Sequence, residues 1–376
     1  MFRILAFTLK PCEAPDTRFR ILQYRELAEK DGIQVDHYSL IGPTYYHWQR
    51  RNVQLPGRVL LYPFLLARRL WQVLFEAPKY DAIWISREMA PFGPPILERL
   101  LIRRCKRVIL DIDDAMHISD KESSRLIPRL LRDNGKFGRM AASYTTIVCG
   151  NRYLADYYEE HAATVEVLPT VVNTKQYTSI RQIGSDIVRI GWIGTPLNRY
   201  HLETVRTALS ELAKERRFEL IVVGLNEPLN WDSPLIRHIK WQLKDELNYF
   251  AQFDIGIMPL KDSAFSRGKC AFKLIQYMAA GLPVVASPVG ANSEVVSHNR
   301  NGFLARNDED WVSMLRTLID DPVLRCTIGE AGQKLVQRRY CTQVVWPRYA
   351  EILTGAESKR SVFAASDTAG VQMDIQ

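Results

Sequence analysis

Short aliphatic runs alternate with amphipathic helical stretches along most of this chain, and that alternation limits the fold more than any other feature. The first series of runs is Phe2 to Phe7, Ile33 to Leu40, Asp81 to Ile85, Arg107 to Ile112, Thr145 to Val148 and Val165 to Leu168. Helices are expected between them over Phe19 to Lys30, which Gly32 ends, Pro94 to Arg104 and Asn151 to His161. A second series opens at Val188-Arg189-Ile190-Gly191-Trp192-Ile193-Gly194 and continues through Glu219 to Val223, Asp254 to Met258 and Pro283 to Ala286. Its helices are expected near Leu202 to Arg216, Ala271 to Ala280, Asp308 to Asp320 and Val323 to Arg338. Strands joined through helices run parallel, so the expected class is α/β with two doubly wound, Rossmann-like domains facing a cleft.

The polar stretch from Thr170 to Asp186 separates the two series. The expected division is a first domain over 1–170, a second over 187–340, a helix over 341–354 packing back on the first domain, and a disordered tail over 355–376. A chain of 376 residues suits two such cores.

Fifty Lys and Arg against 42 Asp and Glu give a net charge of +8, which favours anionic partners such as a nucleotide diphosphate or a phospholipid surface. The basic residues form no recognised nucleic-acid motif, so nucleic acid is not an expected partner. Scattered cysteines without a C-x-x-C pair point to a reducing, cytoplasmic setting, and no uncharged apolar stretch of about 20 residues is present to cross a bilayer. The segment from Arg50-Arg51 through Arg58 to Trp71 mixes arginines with aliphatic and aromatic side chains, as in peripheral contacts with the anionic inner face of a membrane. A helix packed on the first domain with its arginines in solvent fits the same pattern.

The segment from Phe265 to Val285 follows a strand and begins a helix, so Arg267, Lys269 and Lys273 crowd a helix start where cations are unfavourable. Lys269, Lys273 and Gln276, at i, i+4 and i+7, are expected to share one helix face. A bound diphosphate would turn that repulsion into affinity; solvated lysines are the alternative. In Leu110-Asp111-Ile112-Asp113-Asp114 three carboxylates gather at the end of a strand. They suit a D-x-D metal site, a pair of cleft residues, or a helix cap.

The helix ending in Met278-Ala279-Ala280-Gly281-Leu282-Pro283-Val284-Val285 resembles the donor-binding segment of retaining glycosyltransferase family 4, and the resemblance extends over nearly the whole chain. It implies the glycosyltransferase B fold and transfer of a sugar from a nucleotide-diphosphate donor with retention. The implied acceptor is a glycan or lipid-linked glycan of cell-envelope or exopolysaccharide assembly. No cofactor or metal is implied. On this resemblance Gly194, Thr195, Arg199, Gly224, Lys269, Lys273 and Gln276 are expected to take the donor, with Gln276 toward the ribose. Asp113 and Asp114 stand where similar enzymes carry a histidine and an aspartate, and are the candidate catalytic pair. Asp16-Thr17-Arg18-Phe19-Arg20 resembles a Ser-Arg-Phe-Arg loop of one subgroup, which makes Asp16, Arg18 and Arg20 acceptor or cleft residues. The chain departs from the family at Gly268, where the first of two glutamates usually stands, and in the absence of glycine from Thr8 to Thr17. A catalytically silent nucleotide-sugar-binding scaffold and a sugar-nucleotide epimerase are the alternative readings.

Overall fold

The computed structural model describes residues 1–50, 58–119, 131–177 and 186–356. Two six-stranded sheets carry the chain, and every strand pair in both is parallel. The first contains β1 (Phe2–Thr8), β2 (Ile33–Ser39), β3 (Ala82–Ser86), β4 (Val108–Ile112), β5 (Thr146–Cys149) and β6 (Val165–Val167) in the order β2-β1-β3-β4-β5-β6. The second contains β7 (Val188–Ile193), β8 (Phe218–Val223), β9 (Leu235–Ile239), β10 (Ile255–Met258), β11 (Val284–Ala286) and β12 (Phe303–Leu304) in the order β12-β11-β10-β7-β8-β9. The winding reverses between β1 and β3 in one sheet and between β7 and β10 in the other. Ligands of open parallel sheets bind in the crevices beyond the carboxyl ends of such neighbouring strands.

Helices cover both faces of each sheet, which is why the central strands read as near-continuous apolar runs: β3 and β4 are buried at every position, Asp111 included. The edges did not announce themselves. β9 is largely exposed, and Arg237 and His238 interrupt its apolar pattern; β12 is two residues long. The single helix expected over Phe19 to Lys30 is instead Pro15–Arg20, a tight turn Leu22–Tyr24 and Arg25–Lys30. Pro15 starts it early because its fixed φ suits a first helical turn, and Ile21 leaves helical geometry between the pieces. Gly32 (φ 73°) supplies the left-handed residue that closes the stretch.

After the second sheet the helix Thr342–Thr354 returns to the first half. Trp346 and Tyr349 pack there against Tyr24, and Trp346 Nε1 donates to Asp31 (2.7 Å). Where the chain crosses between halves, Val172 pairs with the returning segment: its N–H donates to Tyr340 O and its carbonyl accepts from Thr342 N–H, both at 3.1 Å.

Arg20, expected in the cleft, is instead 1% exposed inside the first half. Its Nε donates to Asp111 (2.7 Å), and its Nη1 donates to Leu168 O and Thr170 Oγ1. Asp111 also accepts from Tyr349 Oη (2.8 Å) and Trp84 Nε1 (3.2 Å). The D-x-D reading therefore loses its first carboxylate to the core.

Candidate functional site

Just beyond β3, Arg87 adopts φ 67°, a left-handed backbone that a non-glycine residue holds only under constraint. Its guanidinium supplies that constraint. Nε and Nη2 bind Asp113 at 2.6 and 3.0 Å, Nη2 also binds Asp114 at 3.1 Å, and Nη1 lies 3.7 Å from Asp16. Asp16 pairs in addition with Lys10 at 3.2 Å. Burial alone would raise the Asp16 carboxyl, but Lys10 and Arg87 hold it below its usual value. Three carboxylates from two segments, Asp16 after β1 and Asp113 with Asp114 after β4, thus converge on one cation at the reversal between β1 and β3. Among the described residues no group of three or more His, Cys, Asp or Glu side chains is arranged to hold a metal.

Across the cleft the expected cationic cluster is reduced to two members. Ala271 takes a left-handed conformation (φ 50°) and the helix begins only at Phe272 (Phe272–Ala279), so Lys269 sits in the preceding turn and not on a shared helix face. Arg267 is tied to Asp262 on the surface (2.8 and 2.9 Å). Lys269 Nζ lies 3.9 Å from Asp114, and the half-buried Lys273 Nζ stands 6.0 Å from the Trp192 ring centre. Burial, reinforced by Lys269 and partly opposed by Asp114, pushes Lys273 down to about 8. Gln276 is buried and donates to Tyr177 Oη at 3.2 Å.

The other donor candidates lie on the loops after β7 and β8 and at the start of the short helix that follows β7. Gly194 and Gly224 (φ 96°) let those loops touch, because a Cβ on Gly224 would lie 2.2 Å from Gly194 O. Thr195 precedes the turn Pro196–Asn198 and accepts from Asn198 Nδ2 (3.3 Å). The guanidinium of Arg199 is met by Glu203 at 3.2 Å.

Arg18 was expected to hold an anionic group; it spans the two halves instead, bidentate to Glu246 at 2.5 and 2.9 Å. Beside it Phe19 meets Phe272 at 4.4 Å between ring centres. Cys270 Sγ donates to Asp113 O (3.2 Å) and Asn151 Nδ2 to Lys269 O (3.1 Å), so the lysine turn rests on the aspartate loop after β4 and on the segment after β5. Gly268 lies in this contact, where a Cβ would come 2.6 Å from Ala115 Cβ and 2.9 Å from its nitrogen. Installing the family's glutamate by Gly268→Glu is accordingly expected to cost about 1–3 kcal/mol through overpacking, visible as a lower melting temperature. An unchanged melting temperature would mean the contact yields freely.

Sequence reasoning passed over Arg87 and His201. Arg87 stands 26 residues before its partner Asp113, beyond the reach of any local pattern. Its one signal was its place directly after a parallel strand.

Residues 185–321 match the family model described as "Glycosyl transferases group 1". Among curated proteins, the chain is 28% identical over 128 residues to a D-inositol 3-phosphate glycosyltransferase of Arthrobacter sp. (strain FB24), covering 34% of this chain and 29% of that one. It is 22% identical over 190 residues to the capsular polysaccharide biosynthesis glycosyltransferase CapM of Staphylococcus aureus, covering 46% and 48%. The chain thus spans less than half the length of these relatives. Among solved structures, sucrose-phosphate synthase of Thermosynechococcus elongatus superposes with a TM-score of 0.68 at 13% identity, covering 94% of this chain and 98% of that one. HepE of Anabaena, in complex with UDP and glucose, gives 0.66 at 15% identity over 95% and 100%. Two parallel Rossmann-like sheets facing one cleft give this chain the glycosyltransferase B fold, and every strand of the second sheet lies within the segment that matches the glycosyl transferases group 1 model.

Proposed function

We propose that this protein is a retaining glycosyltransferase of family 4 that moves a sugar from a nucleotide diphosphate to a glycan or lipid-linked glycan in envelope or exopolysaccharide assembly, without a metal. The observation that carries the reading is the pairing of Lys269 and Lys273 beyond the carboxyl ends of the second sheet, opposite carboxylates fixed by Arg87. A relative that makes capsular polysaccharide and a structural neighbour that holds UDP and glucose support it.

In the proposed reaction the bond between the sugar and the diphosphate breaks with its electron pair passing to the diphosphate oxygen. Lys269 and Lys273 take up that charge, a task that in other glycosyltransferases falls to a metal. The acceptor oxygen bonds to the same face of the sugar, and its proton goes to the departing diphosphate. This route demands no separate acid and base. Asp113 and Asp114, held still by Arg87, face the positive charge developing on the ring. Gln276, Gly194, Thr195 and Gly224 line the nucleotide side, with Arg199 at its margin.

The depressed Lys273 gives the reading a pH signature. A diphosphate binds the ammonium form, which the free protein loses as pH rises through about 8. Affinity is therefore expected to be flat below that point and to fall above it by as much as about tenfold per pH unit. Titration of a nucleoside diphosphate between pH 7 and 9.5 checks this, and Lys273→Arg should flatten the curve. A flat wild-type curve would remove Lys273 from the site.

A peripheral membrane position accompanies the proposal. On the helix Arg58–Trp71 and the turn Gln72–Glu76 after it, Leu61, Phe64, Trp71 and Phe75 are exposed at spacings of three, seven and four residues, with Phe64 70% accessible. Arg68 lies between them, and exposed Arg99, Arg103 and Arg104 stand on the adjoining helix Ile96–Arg104. Residues 51–57 of the basic segment lie outside the described residues. Phe64→Glu combined with Trp71→Glu is expected to abolish co-sedimentation with phosphatidylglycerol vesicles; equal binding by variant and wild type would refute the membrane position.

The packed Gly268 favours one second reading, a silent nucleotide-sugar-binding scaffold. Isothermal titration with UDP, GDP, ADP and TDP, with and without EDTA, followed by product analysis with the matching nucleotide sugar, separates the possibilities. Chelator-insensitive binding with transfer supports the proposal. Binding without turnover selects the scaffold, conversion of the donor without acceptor selects an epimerase, and no binding overturns all three.

A further inference from the structure

His201 lies at the point where the second sheet reverses its winding. It follows β7 on the short helix Arg199–Leu202, and its Nδ1 accepts the backbone N–H of Lys261, just past the end of β10, at 3.0 Å. One ring nitrogen therefore bridges the loops of the two strands between which a ligand of such a sheet sits. That bond also fixes the tautomer. With Nδ1 accepting, the proton of the neutral ring is on Nε2.

The ring is 2% exposed, and Nε2 is buried without a hydrogen-bond partner among the described residues. A histidine serving only the core is normally satisfied at both nitrogens, because an unmet buried donor costs stability. Burial and the ammonium groups of Lys269, Lys273 and Lys261 push His201 down to about 3, so the ring is neutral at ordinary pH and gives an N–H without a charge. The same lysines identify what this region of the protein awaits: an anion.

We propose that His201 is a further donor-binding residue, its Nε2–H hydrogen-bonding a diphosphate oxygen of the nucleotide alongside Lys269 and Lys273, in a tautomer fixed by the Lys261 N–H. The inference rests on the nucleotide-diphosphate reading above. It assigns His201 no proton transfer. A neutral donor holds the oxygen in the ground state and after the sugar–phosphate bond breaks, without the repulsion that a third cation would bring to the lysine pair.

The variants follow from the two nitrogens. His201→Asn keeps an oxygen near the Nδ1 position to accept from Lys261 and loses the Nε2–H, whereas His201→Gln offers an amide N–H near Nε2. The full-length protein and both variants, with Lys273→Ala alongside, would be titrated with UDP, GDP, ADP and TDP. Expected are affinity on the order of tenfold weaker in the Asn variant, as for one lost hydrogen bond to a charged group, and recovery in the Gln variant. Nitrogen NMR of wild-type protein labelled in histidine should show Nε2 protonated and shifted by the nucleotide that binds. Weakening by Lys273→Ala with no change in His201→Asn would overturn the His201 assignment and leave the donor site standing, as would an Nδ1–H tautomer. Absence of binding by all four nucleotides to wild type would overturn both.

Discussion

Replacing Arg20 with alanine is expected to destabilise the protein by about 3–5 kcal/mol, the usual cost of breaking a buried ion pair from one side. In a two-domain chain this should lower the melting temperature by on the order of ten degrees. The reason lies in what remains. Asp111 would keep the Trp84 N–H and the Tyr349 hydroxyl but lose Arg20, its one ion-pair partner among the described residues, in a buried position. Burial already pulls the Asp111 carboxyl above its usual value, with Arg20 opposing, so removing Arg20 raises it further. A carboxyl whose folded value lies above its unfolded one penalises folding at neutral pH, and the penalty fades as pH falls toward the unfolded value. The loss should therefore be smaller near pH 5 than at pH 7. The double variant Arg20→Met with Asp111→Asn should recover most of it, because the amide still accepts from Trp84 and Tyr349 without a charge. Equal losses in the single and double variants would show that the pair contributes through shape alone.

The larger effect on activity is expected from Lys273→Ala. Loss of one charge-assisted bond should weaken nucleoside diphosphate binding by about 2 kcal/mol, roughly thirtyfold. Turnover should fall further, by about 10²–10³, since the leaving diphosphate carries more charge in the transition state than in the bound donor. Folding should be unimpaired, because in the free protein this ammonium is partly desolvated and crowded by Lys269. Titration, single-turnover rates and a melting curve on the same preparation check the three statements. Equal binding and turnover in the variant would exclude Lys273 from the donor site.

The parallel strands were legible because burial on both faces leaves a mostly apolar record, as in β3, β4, β8 and β10. β9 left no such record, since an exposed edge tolerates Arg237 and His238. Among the site residues, Lys273 could be placed from its helix, but Lys269 could not, because the left-handed turn at Ala271 is invisible to a periodicity argument. Arg18 and Arg20 were read as ligands because sequence shows a charge and conceals its partner. Glu246 and Asp111 are 228 and 91 residues away. His201 escaped notice for a related reason: its interest lies in one nitrogen satisfied and one not, which only three dimensions reveal.

The chain passes between its halves twice, and at Val172 the two passages are hydrogen-bonded to each other. If those bonds persist while the contacts across the cleft separate, Arg18–Glu246, Phe19–Phe272, Cys270–Asp113 and Asn151–Lys269 among them, the halves swing about that one line, like covers about a spine. A nucleotide would then enter and leave from the side farthest from the spine. Each opening would return Lys273 and Asp114 to the same register without a fresh search for alignment.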